Sequence, residues 1–172
     1  MIKNVISFLD WNSLLSAFVG GVLALLGAYL TMRGTKKERE RKDARELVPL
    51  FYFLNSKAAM LVKIGNHPEA VPITQIVSEE EISDIRKRLA FASRTLSLSE
   101  IGDINSFCNQ LIVLEETRKD CYQSSPEKYQ KEINIYQTVL HECIQLLLNE
   151  DKKSGINIIG EKLEKYFSKR LK

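Results

Sequence analysis

From Trp11 to Met32 the chain runs for 22 residues without a charged side chain, and of the thirteen that follow, Arg33 to Arg45, ten are charged. At about 1.5 Å per residue a helix carries the first stretch across about 33 Å, enough for a bilayer core of about 30 Å. Trp11 and Tyr29 stand near its two ends, where amphipathic rings favour the headgroup level. The stretch is longer than the apolar region of a secretory signal peptide, and no A-x-A-like cleavage site follows it. The pattern predicts a transmembrane helix over 11–32, with a short extracytoplasmic segment over 1–10.

Past Arg45 the apolar positions recur at helical spacing. Leu47, Phe51, Leu54, Ala58 and Leu61 step by four, three, four and three, one face of a helix that Pro49 should bend or begin. "GNHPEAVP" (Gly65 to Pro72) reads as a loop. Ser78 and Glu81 form a capping box ahead of the stripe Ile82, Ile85, Leu89, Ala92 and Leu96. Either Ser97 or Ser99 caps the next helix, which carries Ile101, Ile104, Cys108 and Leu111, widened by Phe107 and Leu114. "SSPEK" (Ser124 to Lys128) starts another, in which Tyr129, Ile133, Tyr136, Leu140, Cys143 and Leu147 make the most regular heptad of the chain. "KSGIN" breaks it, and a short last helix carries Ile159, Leu163 and Tyr166.

No run shows the alternating, β-branched pattern of a strand. The predicted class is all-α: one N-terminal transmembrane helix, a basic juxtamembrane stalk over 33–46, and a cytosolic helical bundle of four to five helices over 47–172. The stalk sequence "TKKERERKDARE" reads as polar on all sides, a solvated extension of the span supported by pairs such as Glu38–Lys42.

Charge, divided by segment, refines this picture. Residues 1–32 are neutral overall, 33–45 carry a net charge of +4, and 46–172 carry −1. All the basic character is juxtamembrane, so a nucleic-acid partner is not expected. Arg33, Lys36, Lys37, Arg39, Arg41 and Lys42 are instead expected to contact anionic lipid headgroups, at about 1 kcal/mol per cation. Ahead of the span stands only Lys3, opposed by Asp10. Basic flanks stay in the cytoplasm, which places the N-terminus outside and the body inside the plasma membrane. Cys108, Cys121 and Cys143 then lie in a reducing compartment, as small core hydrophobes.

Motifs that carry chemistry are not found. "GINIIGEKL" (Gly155 to Leu163) has Glu161 where a phosphate loop needs lysine. His67 and His141 lack the spacing of zinc or di-iron motifs, and His141 with Cys143 and Cys108 has no C-x-x-C support. The acid clusters Glu79–Glu80–Glu81–Asp84 and Glu115–Glu116–Asp120 are interleaved with cations and read as solvated faces. No G-x-S-x-G nucleophile motif occurs. No enzymatic activity, cofactor or metal is expected.

One pattern remains inside the span. Ser16, Gly20, Ala24 and Ala28 recur every four residues, beside a second small track of Ser13, Ala17 and Gly21. Small residues so spaced let two backbones approach in lipid, which suggests a homo-oligomer formed through the span. A short Gly-rich span followed by a Lys/Glu-rich stalk resembles many small bacterial and phage membrane proteins; the likeness covers only the anchor and implies no activity. The expected function is that of a single-pass, membrane-anchored interaction module which recruits, senses or inhibits a protein partner at the inner membrane face. The alternative is an oligomerising membrane effector, such as a toxin or phage-defence component, acting through its span.

Overall fold

The computed structural model of the chain describes residues 11–148 and 155–170; segment 1–10, with Lys3 and Asp10, and the break at Lys153 and Ser154 lie outside the described residues. Among the described residues there are five helices and no strand: α1 (Trp11–Gly65), α2 (Glu79–Ala92), α3 (Leu98–Gln123), α4 (Pro126–Leu148) and α5 (Ile156–Arg170). The chain divides into two compact units, Met1–Lys42 and Asp43–Lys172.

In the first unit α1 is exposed at every described position from Leu15 to Arg39. Ten large apolar side chains lie bare between Leu15 and Met32, Phe18, Leu25 and Met32 each at 70% or more of their full exposure. Leaving such side chains in water costs about 1.5–3 kcal/mol each. Their sum is comparable to the roughly 5–15 kcal/mol that stabilises a whole domain. α1 is long and apolar enough to cross a membrane. The expected Glu38–Lys42 ion pair is not formed among the described residues, consistent with the small net gain of such exposed pairs.

The second unit begins earlier than the polarity of the stalk suggested. Ala44 is fully buried. Asp43 and Glu46 are only partly exposed, Asp43 paired with Arg94 and Glu46 with Arg88 at 3.4 Å. "TKKERERKDARE" is therefore not polar on all sides: its last turn packs into the body, and the charges there are matched by α2 and the residues just beyond it. Nor does Pro49 begin a helix, because α1 runs through it. The proline removes the N–H that would reach the Arg45 carbonyl. One residue on, the Glu46 carbonyl accepts a bond from Arg88 Nη1 at 3.4 Å. The buried face of this segment is Leu47, Leu50, Phe53, Leu54, Lys57 and Leu61, while Phe51 and Ala58 of the expected stripe are half-buried beside it.

Capping sets where α2 and α3 start. Ser78 with Glu81 and Ser97 with Glu100 both form reciprocal capping boxes, so Ser97, rather than Ser99, caps α3. α3 and α4 are joined by Ser124 and Ser125 alone, which makes them antiparallel neighbours, and they share the most extensive helix–helix contact in the unit. α3 buries Ile104, Phe107, Cys108, Leu111 and Leu114 and touches α2, α4 and α5. The α4 heptad is buried from Tyr136 through Leu140 and Cys143 to Leu147, whereas Tyr129 stays 43% exposed. α5 closes the core with Ile156, Ile159 and Leu163. It approaches α1 through Gly160, where an added Cβ would stand 3.1 Å from Asn55 Oδ1.

Tyr136 gives a sharp test of this core. It is fully buried and its hydroxyl has no hydrogen-bond partner. Burial first, and the neighbouring Cys121 and Tyr122, push its phenol above the ordinary tyrosine range. Removing a buried polar group that has no partner costs nothing in lost bonds. Thermal melts of Tyr136→Phe should therefore match or exceed wild type, while Tyr136→Asp, which buries an unpaired carboxylate, should abolish the cooperative transition. A Tyr136→Phe protein markedly less stable than wild type would mean that the hydroxyl is bonded after all.

Candidate functional site: an exposed apolar helix and a strapped helical body

Every predicted self-association residue, Ser16, Gly20, Ala24 and Ala28, lies exposed on α1. A Cβ added at Gly20, Gly21, Gly27 or Gly34 would meet nothing within 4 Å, so the intramolecular fold gives these glycines no packing reason. In a helix, positions four apart drift by about 40° per step, so the track from Ser16 to Ala28 winds a third of the way around. A second alignment overlaps the four-residue spacing. Ala17, Gly20, Ala24, Gly27, Thr31 and Gly34 alternate steps of three and four, and this seam drifts only about 20° per heptad. Thr31 Oγ1 donates to the Gly27 carbonyl at 2.8 Å, which satisfies the hydroxyl within the helix.

The predicted lipid-contacting cations Arg33, Lys36, Lys37, Arg39, Arg41 and Lys42 follow on the same helix and are all exposed. α1 therefore presents an apolar surface and, directly after it, a cationic one.

In the second unit, residues 66–78 form a non-helical strap between α1 and α2. Its backbone is held largely by side chains. Ile76 N donates to Glu115 Oε2 at 2.9 Å, and Lys57 Nζ donates to the Ile76 carbonyl at 2.8 Å. Arg118 Nη1 reaches the Ile73 carbonyl at 3.2 Å, and the Tyr122 hydroxyl donates to the Val71 carbonyl at 2.9 Å. Lys57 also pairs with Glu81 at 3.0 Å, and Arg118 with Glu115 at 2.7 Å. Both Lys57 and Glu115 are buried.

This corrects the reading of Glu115 as part of a solvated face. Burial alone would raise its pKa, but the Arg118 guanidinium and the Ile76 N–H outweigh that and hold the carboxyl below the usual carboxylate range. The cluster around it divides: Glu116 and Asp120 remain exposed. Glu79, Glu80, Glu81 and Asp84 are all exposed, with Glu81 paired to Lys57 and Asp84 to Arg88.

The remaining chemical candidates are not brought together. His141 is exposed, whereas Cys108 and Cys143 are buried, and burial pushes their thiols up to about 11 and about 12. Among the described residues no group of three or more His, Cys, Asp or Glu is arranged to hold a metal ion. "GINIIGEKL" is the start of α5, with Gly155 and Gly160 buried. A groove of about 340 Å³ between α1 and α2 is lined by Pro49, Tyr52, Phe53 and Ile85, with Lys57, Glu81 and Asp84 on its polar side. Lys57 and Glu81 are paired with each other, and Asp84 with Arg88 at 2.7 Å. The chain matches no known protein family, no curated protein and no solved structure.

The Glu115 tether has a defined pH signature. A carboxyl whose pKa is lower folded than unfolded contributes stability above its unfolded pKa, and that contribution is lost as pH falls through the folded value. Chemical denaturation of the wild type should show stability declining below the ordinary carboxylate pKa of about 4.3. Glu115→Gln should be less stable at neutral pH and its acid decline shallower. Parallel acid profiles for the two proteins would remove Glu115 from this role. Glu115→Ala, which strands Arg118 and the Ile76 N–H, should cost about 3–5 kcal/mol at neutral pH.

Proposed function

We propose that this protein is a single-pass, membrane-anchored interaction module whose helical body works at the inner face of the plasma membrane, recruiting, sensing or inhibiting a protein partner. The observation that carries the reading is the surface of α1: ten large apolar side chains exposed between Leu15 and Met32, followed at once by exposed cations. An apolar helix of this length inserts, and basic residues after it keep the following chain in the cytoplasm. The six cations from Arg33 to Lys42 then meet anionic headgroups. The body contributes a well-buried core and, between α1 and α2, a groove whose charged groups are engaged in ion pairs, a composition suited to binding a protein rather than to catalysis.

A second reading, an oligomerising effector that acts through its span, is favoured by the small-residue surface of α1. Gly20 and Ala24 belong both to the four-residue track and to the three–four seam. Two helices meeting on the first cross right-handed, and on the second left-handed. The two readings differ in what the span does: a recruiter works with any apolar helix, whereas an effector needs this one.

The anchor is tested by fractionation. The protein should remain with membranes through high salt and alkaline carbonate, and protease added to intact cells should spare the body. Release by salt alone would leave only electrostatic attachment, and digestion of the body would reverse the topology. Pull-down from detergent-solubilised membranes should recover a partner equally well when residues 11–32 are replaced by an unrelated apolar helix; loss of recovery argues for the effector.

Association is tested separately by crosslinking within the membrane. Gly20→Ile with Ala24→Ile should lower dimer yield without affecting insertion, since the bulkier side chains hold the backbones apart. Single substitutions then distinguish the geometries. Gly27→Ile should disrupt only the three–four seam, and Ala28→Ile only the four-residue track. Unchanged yield in the double variant would end the effector reading.

A further inference from the structure

The strap between α1 and α2 is held in an unusual way for a loop of its length. Of the twelve residues 66–77, only Ile76 and Val77 are buried, at 1% and 4% exposure. Ordering the segment costs backbone entropy at every residue, while these two side chains supply most of the apolar return. Few buried apolar side chains are the condition under which a segment can open locally while the surrounding helices stay closed. What retains it is mainly a set of side chains from elements on either side: Lys57 from α1, and Glu115, Arg118 and Tyr122 from α3.

The geometry at Ile76 is that of peptide recognition. One buried carboxylate takes its N–H, one buried ammonium group gives to its C=O, and the side chain enters the apolar core. Both recognising groups are held by ion pairs: Glu115 by Arg118, and Lys57 by Glu81 of α2. With the strap lifted, Glu115 and Lys57 would remain as an acceptor and a donor flanking an apolar seat. An extended segment with two successive aliphatic side chains satisfies all three features, because backbone bonds confer affinity and side-chain pockets confer selectivity.

We propose that the strap is an autoinhibitory latch: it occupies in cis a seat, formed between α1 and α3, that takes an extended aliphatic segment of a protein partner, and vacates it by local opening. The inference rests on the recruiter reading for its biological consequence, and names the site and ligand class of that recruitment. Ile73, 86% exposed near the middle of the strap, is where a competing segment can begin to displace it.

The test uses the full-length protein in nanodiscs and has two arms. In hydrogen exchange, amides of residues 71–77 should exchange through an opening that leaves α3 and α4 protected. Glu115→Gln should speed strap exchange roughly tenfold to a hundredfold, the loss of one charge-assisted hydrogen bond, with α4 remaining far more protected than the strap. In the second arm a fluorescent peptide of the strap's own sequence, Val71 to Ser78, is added in trans. It should bind a variant whose strap cannot seat, Ile76→Ser with Val77→Ser, and bind wild type at least tenfold more weakly. If circular dichroism shows that the double variant has unfolded, Ile76→Ala takes its place.

Strap amides that exchange only with global unfolding overturn the latch, and so does a peptide that fails to bind the folded variant. A membrane-anchored protein that recovers its partner while its strap never opens loses the latch alone. A protein released by salt whose strap opens and whose seat binds the peptide loses the anchor alone.

Discussion

Apolar surface that the fold does not cover must be covered by something else, and here that demand is concentrated on one helix. The exposed run from Leu15 to Met32 carries uncovered apolar surface whose cost in water is comparable to the whole stability of a domain. On the proposed reading lipid satisfies the demand, and the backbone adds no cost because a helix bonds its own polar groups. On that reading the abrupt change at Arg33 follows from the same constraint: a charge placed a few residues earlier would sit in hydrocarbon, and one at Arg33 would sit among headgroups. On the proposed reading, the glycines and alanines between Ala17 and Gly34 are the surface through which such a helix can meet another of its kind.

The body meets a different constraint, the satisfaction of buried polar groups. Helices bond their own backbones, but the strap cannot, and its most buried residue needs partners for both N–H and C=O. Glu115 and Lys57 provide them, at the expense of burying two charges. Those charges are tolerable because each has an opposite one within about hydrogen-bond distance, Arg118 and Glu81. The tether is thus a chain of dependencies: remove Arg118 and Glu115 becomes a buried unpaired carboxylate, remove Glu115 and the strap loses its hold at Ile76.

The apolar rows, the loop from Gly65, the capping boxes and the proline at the head of α4 could all be read along the chain, since each depends on residues within one or two helical turns. The all-helical class, the presence of a long apolar N-terminal helix and most of the core stripe follow from those local patterns. Ala44 was missed because one small residue among charges gives no periodic signal, and its burial arises where α2 and the residues just beyond it pack against this turn. Phe51 and Ala58 gave way to Leu50 and Lys57 because the face of α1 that is covered is set by where the other helices lie.

The sequence by itself determined the helices, their order, and the division between an uncharged stretch and a charged one, because propensity, capping and periodicity act over short range. Only the tertiary structure decided that Glu115 and Lys57 are buried. Each stands in a run with ordinary surface polarity, and 39 residues separate Glu115 from the amide it receives. No local pattern marks a lysine or glutamate for burial. A buried charge is stable only where opposite charges and unpaired backbone groups from elsewhere in the chain converge, and that convergence exists only once the helices have packed.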